Sequence, residues 1–284
     1  MGSIEIIDGA MGSEFIKRGL QLPPHIWSAQ LNLEKSELVK ALHEEYINAG
    51  ANYITTNTFR TTPRAYKKLG LSNKESEILA NASLINAIKI AKEAAFGKVK
   101  VLGSIAPLED CYTPELFPGT KYAQKEFSQI AKWFYEKNID IFLLETMNSI
   151  DEAQCCLEVI NKYNIPAWIS FVLLDNNHIL SGEKLEDAIN MASSFNVDCF
   201  LINCNPLDKT KDALKVIANN WRKKWGIYPN LGIGEPSADG NIQKIYSDKE
   251  FIDLIKKALS LNASVIGGCC GSNPEHIKLI KNNI

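Results

Sequence analysis

No apolar run in the 284 residues reaches the ~18 needed for a helix to cross a bilayer. Neither charge is in excess, because 31 Lys and Arg stand against 33 Asp and Glu for a net charge of -2. A broad nucleic-acid or anionic-membrane surface needs a basic surplus, so neither partner is expected. The start, Met1-Gly2-Ser3-Ile4-Glu5, lacks a basic segment followed by an apolar stretch, so no secretory signal is expected. Linkers, low-complexity tracts and clear repeats are also missing. A composition of 45% hydrophobic and 23% charged residues excludes disordered, collagen-like and disulfide-scaffold classes. The expectation is one cytoplasmic domain spanning residues 1–284.

What is present is a repeating order of elements. Short runs rich in Val and Ile recur, each followed by an amphipathic stretch. The runs are Ile4–Gly9, Asn52–Asn57, Lys100–Ile105, Ile141–Thr146, Ala167–Val172, Cys199–Cys204, Ile227–Gly232 and Ser264–Cys270. Continuous apolar character suits parallel strands buried on both faces. Helical patterns follow at Ser36–Ala49, Lys74–Ala95, Gln124–Lys137, Ile150–Lys162, Leu185–Ser194, Lys209–Lys224, Asp248–Leu261 and Pro274–Lys281. Asn73, Ser149, Asp208 and Ser247 read as helix caps, and Pro274 suits a first helical turn. Eight strand–helix units in series predict an α/β fold, a (β/α)8 TIM-type barrel, with a doubly wound sheet as the alternative.

In such a barrel the chemistry gathers at the C-terminal ends of the strands. Those ends carry Asp8-Gly9-Ala10-Met11, Thr56-Asn57-Thr58-Phe59, Glu145-Thr146, Ser170-Phe171, Asn203-Cys204 and Gly267-Gly268-Cys269-Cys270. Seven Cys occur, an odd number. Cys155-Cys156 falls inside a helical pattern, and Cys111 and Cys199 also read as structural. Cys204, Cys269 and Cys270 end strands six and eight, where they can converge on one rim. Three thiolates suit Zn2+, and three protein ligands rather than four is the pattern of a catalytic site with an open position. A disulfide between the adjacent pair and plain burial are the alternatives. His25, His43, His178 and His276 read as non-ligands.

These motifs resemble one family. Gly267-Gly268-Cys269-Cys270-Gly271-Ser272-Asn273-Pro274-Glu275-His276-Ile277 is similar to the zinc signature of the homocysteine S-methyltransferases. Asn203-Cys204 resembles the upstream ligand motif. Asp8-Gly9-Ala10-Met11-Gly12, Gly50-Ala51 with Thr56-Asn57-Thr58-Phe59, Glu145-Thr146 and Leu180-Ser181-Gly182 follow the family's blocks in order. The resemblance runs from about residue 4 to 280. Ile202 departs from it, since the family usually has Gly before Asn-Cys.

The resemblance implies a zinc barrel that methylates homocysteine to methionine. Cys204, Cys269 and Cys270 would hold the metal, and Glu145 and Asp8 the substrate ammonium. The backbone of Gly9, Ala10 and Met11 would meet its carboxylate. Asn203 would orient a ligand, Thr56 and Asn57 would line the pocket, and Trp27 would face the methyl donor. The chemistry agrees with this. A thiol of pKa near ~8.5 is only a few per cent ionised at pH 7, so full ionisation offers roughly 30-fold in reactive fraction. Three thiolates leave the metal a mild Lewis acid, so a bound substrate sulfur keeps its nucleophilicity. The chain runs only 14 residues past Cys270, without the modules of folate- and cobalamin-using relatives. A sulfonium donor, S-methylmethionine or S-adenosylmethionine, is therefore expected, because its leaving group is neutral. Betaine, a homocysteine-activating subunit of a split corrinoid system, and a zinc- or thiol-binding barrel without turnover are the alternatives. Tyr112, Phe117 and Tyr122 are candidates for a lid, and the oligomeric state is left open.

Overall fold

The computed structural model describes residues 3–233 and 240–284. Met1 and Gly2, on which part of the signal-peptide reading rests, lie outside them. Eight parallel strands run β1 (Glu5–Ile6), β2 (Tyr53–Thr55), β3 (Lys100–Ile105), β4 (Ile141–Met147), β5 (Ala167–Phe171), β6 (Val197–Asn203), β7 (Lys224–Tyr228) and β8 (Val265–Ile266). Each pairs with its sequence neighbour from β2 through β8, and β8 pairs with β1. The ring closes between β1 and β2 through a bridge from Ile7 to Tyr53. This is the (β/α)8 barrel that the eight runs predict.

The helices are α1 (Gly12–Lys17), α2 (Leu31–Glu34), α3 (Ser36–Ala49), α4 (Pro63–Lys67), α5 (Asn73–Ala95), α6 (Thr120–Glu136), α7 (Ile150–Ile160), α8 (Leu185–Ser193), α9 (Leu207–Asn220), α10 (Asp248–Ser260) and α11 (Pro274–Asn283). Ser149 and Ser247 cap α7 and α10 as expected. The cap of α5 is Ser72 rather than Asn73, because Ser72 and Glu75 form a reciprocal capping box. Pro206, not Asp208, precedes α9, and no side chain caps it. None of the described helices is long and apolar enough to cross a membrane.

Two cores result. One fills the barrel, with Trp168, Leu143, Leu201 and Val265 all buried. The other lies between strands and helices and contains Cys155 and Cys156 of α7. The seventh strand lies three residues earlier than the sequence suggests. Trp221 leaves α9 in extended conformation and its indole nitrogen donates to Lys224 O at 2.8 Å. Lys224, which read as helix, therefore begins β7, and it reaches Glu5 at the base of the barrel. β1 and β8 are shorter than expected because their C-terminal halves turn into the site.

Candidate active site

The thiols stand on strand ends. Cys204 directly follows β6 with φ 54°, a left-handed conformation that costs a non-glycine residue of order 1–3 kcal/mol. Cys269 and Cys270 follow β8 beyond two glycines. A Cβ on Gly267 would strike Ile7, and one on Gly268 would lie 2.6 Å from the Ser272 side chain. Only glycine lets this turn lie so close to β1. The Sγ atoms of Cys204, Cys269 and Cys270 lie within 4.8 Å of one another. Cys204 and Cys269 are joined as a disulfide, with Cα atoms 5.5 Å apart, so the bridge is not between the adjacent pair. Asn230 fastens the two ligand segments: its Nδ2 donates to Cys204 O at 3.1 Å, and its Oδ1 accepts from Cys270 N at 3.1 Å. Once reduced, this donor set fits a thiophilic divalent ion.

Two carboxylates share the same end of the barrel. Asp8, 3% exposed, accepts from Thr55 N at 2.8 Å and from Thr55 Oγ1 at 3.1 Å. Burial pushes its pKa well above the usual carboxylate range; the Thr55 bonds oppose the rise and the charge of Glu145 adds to it. Burial raises Glu145 as well. Ser104 Oγ donates to Glu145 Oε2 at 2.6 Å, which opposes that rise. Burial also pushes the Cys270 thiol up to about 11, with the Glu145 charge adding to it. Thiol cluster and carboxylates therefore feel one another. Two buried carboxylates that repel one another favour uptake of a proton or of a cationic group.

Asn203, fully buried, donates from Nδ2 to Thr146 Oγ1 at 2.7 Å. Its Oδ1 has no partner. A buried, unsatisfied amide oxygen at this end of the barrel is a further acceptor for a ligand N–H.

Residues 5–284 match the family model for homocysteine S-methyltransferase. The chain belongs to this family. It is 28% identical to homocysteine S-methyltransferase 1 of Brassica oleracea var. italica, over 100% of this chain and 94% of the relative. It is 27% identical to the homocysteine S-methyltransferase of Escherichia coli (strain K12), over 98% of this chain and 94% of the relative. The metallated form of the homocysteine methyltransferase MmuM from Escherichia coli is similar in structure, with a TM-score of 0.86 and 25% identity, covering 100% of this chain and 97% of that one.

In this homocysteine S-methyltransferase family member the remaining expected residues divide into two groups. Ala10 N donates to Ser272 Oγ at 3.0 Å, which fixes the Asp8–Met11 loop to the thiol turn and engages one of the three amides read as a carboxylate cradle. Tyr46 supports the same loop by donating to Ala10 O at 2.6 Å. Trp27, with φ 48°, is half-buried, and its ring packs over Gly12 and Gly240. Ser13, next to Gly12, accepts from Gly271 N at 3.0 Å, which places the indole near the thiol turn. Asn57 acts as a brace. Its Nδ2 donates to Ser28 O and Asn32 Oδ1, both at 2.8 Å, and its Oδ1 accepts from Ser28 Oγ at 2.6 Å. It thus holds the Trp27 loop to the end of β2. Thr56 Oγ1 is engaged with Thr58 Oγ1 at 2.7 Å and accepts from Ser104 N at 3.1 Å. Among the lid candidates, Tyr112, 52% exposed, meets Asn230 beside Cys270. Phe117 packs on the core and Tyr122 projects from α6. His43 is buried in α3, and His276 completes the cap of α11. Neither joins the thiol cluster.

Sequence reasoning placed Ser170 at a strand end without a role and missed Tyr228, Ser104, Thr55, Asn230 and Ser272. One signal was present: Ser104, like Ser170, interrupts an otherwise apolar strand, and a buried hydroxyl needs a partner.

Proposed function

We propose that the protein transfers a methyl group from a sulfonium donor, S-methylmethionine or S-adenosylmethionine, to the thiolate of homocysteine, giving methionine and a neutral thioether. The observation that carries this is the convergence of three thiols within 4.8 Å of one another beside two buried carboxylates. Once reduced, Cys204, Cys269 and Cys270 would hold a thiophilic divalent ion such as Zn2+ and leave a further position for substrate. Zn2+ held by Cys204, Cys269 and Cys270 supplies the means of keeping the substrate sulfur deprotonated.

The chain's own residues do the rest. Asp8 and Glu145 take the substrate ammonium, and their mutual repulsion is relieved when a cation sits between them. Asn203 Oδ1 accepts an N–H from the same group. The backbone of Gly9 and Met11 faces the substrate carboxylate. The indole of Trp27 attracts the positive donor by cation–π contact worth about 0.5–2 kcal/mol. The thiolate lone pair forms the new S–C bond as the donor's C–S bond breaks, so no general acid is needed. The whole chain, 1–284, is read as one homocysteine-binding barrel. A cytoplasmic setting suits a site that must keep its thiols reduced.

The test is methionine formation by purified, reduced, zinc-replete protein offered homocysteine with S-methylmethionine, S-adenosylmethionine or betaine in parallel. Methionine from either sulfonium is the expected result. Methionine from betaine alone overturns the donor assignment. None from any donor, with zinc bound, overturns direct transfer.

A further inference from the structure

Ser104 lies in β3, 1% exposed, next to the strand that carries Glu145. Its hydroxyl donates to Glu145 Oε2 at 2.6 Å. An ionised carboxylate can only accept, so the single side-chain proton of Ser104 is committed there. The backbone of Ser104 is held on both sides by two threonines from the segment after β2. Ser104 N donates to Thr56 Oγ1 at 3.1 Å, and Thr58 Oγ1 donates to Ser104 O at 2.7 Å. The Thr58 proton is thereby assigned, because its other acceptor, Thr56 O at 3.5 Å, is far longer than an ordinary O–H···O bond. The 2.7 Å contact between the two threonine hydroxyls therefore runs from Thr56 to Thr58. A closed ring results: Ser104 N–H, Thr56 hydroxyl, Thr58 hydroxyl, Ser104 carbonyl. All three residues are buried, where such bonds are stronger than in water.

Resting on the reading that Glu145 takes the substrate ammonium, we propose that Ser104 is a positioning residue for substrate selection: with its backbone locked by the Thr56–Thr58 ring, its hydroxyl fixes the Oε2 side of Glu145 and aims that carboxylate at the ammonium. The proposal concerns recognition of the α-amino group and not methyl transfer. A donor tied at its own N–H and C=O has a fixed place, so Glu145 is set before the ligand arrives and loses little freedom on binding.

The matched probe is 4-mercaptobutyrate, which keeps the thiol and carboxylate of homocysteine and lacks the ammonium. Affinities for both are read by calorimetry on reduced, zinc-replete protein, with zinc content and thermal midpoint recorded for each variant. Wild type should favour homocysteine. Ser104→Ala, which removes one oxygen, should cut that preference about 10-fold while leaving 4-mercaptobutyrate affinity unchanged, as for a lost bond to a charged group. Thr58→Val opens the ring and spares Ser104 Oγ; it should cut the preference by a smaller factor, and it carries the test if Ser104→Ala does not fold. Glu145→Gln should remove most of the preference, and adding Ser104→Ala to it should change the remainder little, since the two residues act as a unit. Equal weakening of both ligands in Ser104→Ala overturns the proposal, because that marks a structural effect only. An unchanged or increased preference overturns it too, as does the same 10-fold fall in the Glu145→Gln background. If Glu145→Gln itself preserves the preference, the ammonium reading of Glu145 fails and the proposal falls with it.

Discussion

Asn203 Nδ2 donates to Thr146 Oγ1 at 2.7 Å, which ties the end of β6 across β5 to the end of β4. Both ends are strained. Thr146 has φ 60° and Cys204, next to Asn203, has φ 54°. The bond holds two unfavourable backbones in place and leaves Asn203 Oδ1 as the free end of the amide. Thr146→Val removes the acceptor at nearly constant shape. It should destabilise the protein by about 1–3 kcal/mol, because a buried amide donor loses its partner. Urea unfolding measures this, and a change under 0.5 kcal/mol, about the scatter of neutral substitutions, would show that the tie is not needed.

Zinc and substrate binding should separate by mutation. Cys269→Ser should abolish zinc retention after dialysis of reduced protein, read by elemental analysis. Glu145→Ala should retain wild-type zinc and lose homocysteine. Removing one partner of a buried charge pair costs about 2–5 kcal/mol, so the KM for homocysteine should rise at least ~30-fold. Normal homocysteine kinetics in Glu145→Ala would sink the assignment.

Metal loading should depend on reduction. Two of the three donors are engaged with each other in the Cys204–Cys269 disulfide. Protein purified without reductant should therefore take up little zinc, and a thiol reductant should restore it. Cys270→Ser keeps the disulfide pair intact and should still fail to retain zinc when reduced. Full loading of the oxidised protein would remove these two cysteines from the ligand set.

Stability should also fall in acid because of His43. This residue is fully buried with neither ring nitrogen bonded, and burial lowers its pKa from 6.5 to about 4. Between those values the unfolded chain binds the proton and the folded chain does not. Stability contributed by the neutral ring is thus complete above pH 6.5 and lost as pH falls toward 4, at roughly 1.4 kcal/mol per unit. His43→Leu should flatten the pH dependence of stability over this window relative to wild type. Parallel slopes for the two proteins in denaturant titrations at pH 7, 6 and 5 would contradict this account.

The fold was legible because each buried strand announces itself as a short Val/Ile run, and helices follow at a regular spacing. The misplacement of β7 has a local cause. Arg222, Lys223 and Lys224 continue the polar face of α9 in sequence, whereas in space Lys224 turns to the ion pair with Glu5 at the barrel base. The three clustered thiols and both carboxylates stood out as polar groups at strand ends. Tyr228 and Asn230 did not. Their partners lie 26 to 58 residues away, and which hydroxyl meets which carboxylate depends on strand register and side-chain direction. Asn57 shows the same limit from the other side. It stood out as a pocket residue, but its amide is fully engaged in holding the Trp27 loop.

The closure of the barrel between β1 and β2 rests on the Ile7–Tyr53 bridge together with the side chain of Asp8, which takes the Thr55 amide as a backbone carbonyl would. The carboxylate proposed to take the substrate ammonium is therefore also a rivet in the seam of the cylinder. A cation resting on Asp8 would steady that rivet, and the Thr55 amide, whose proton points at it, becomes a reporter of occupancy. Its hydrogen exchange with solvent should slow when substrate fills the barrel mouth, even though no atom of Thr55 need touch the substrate.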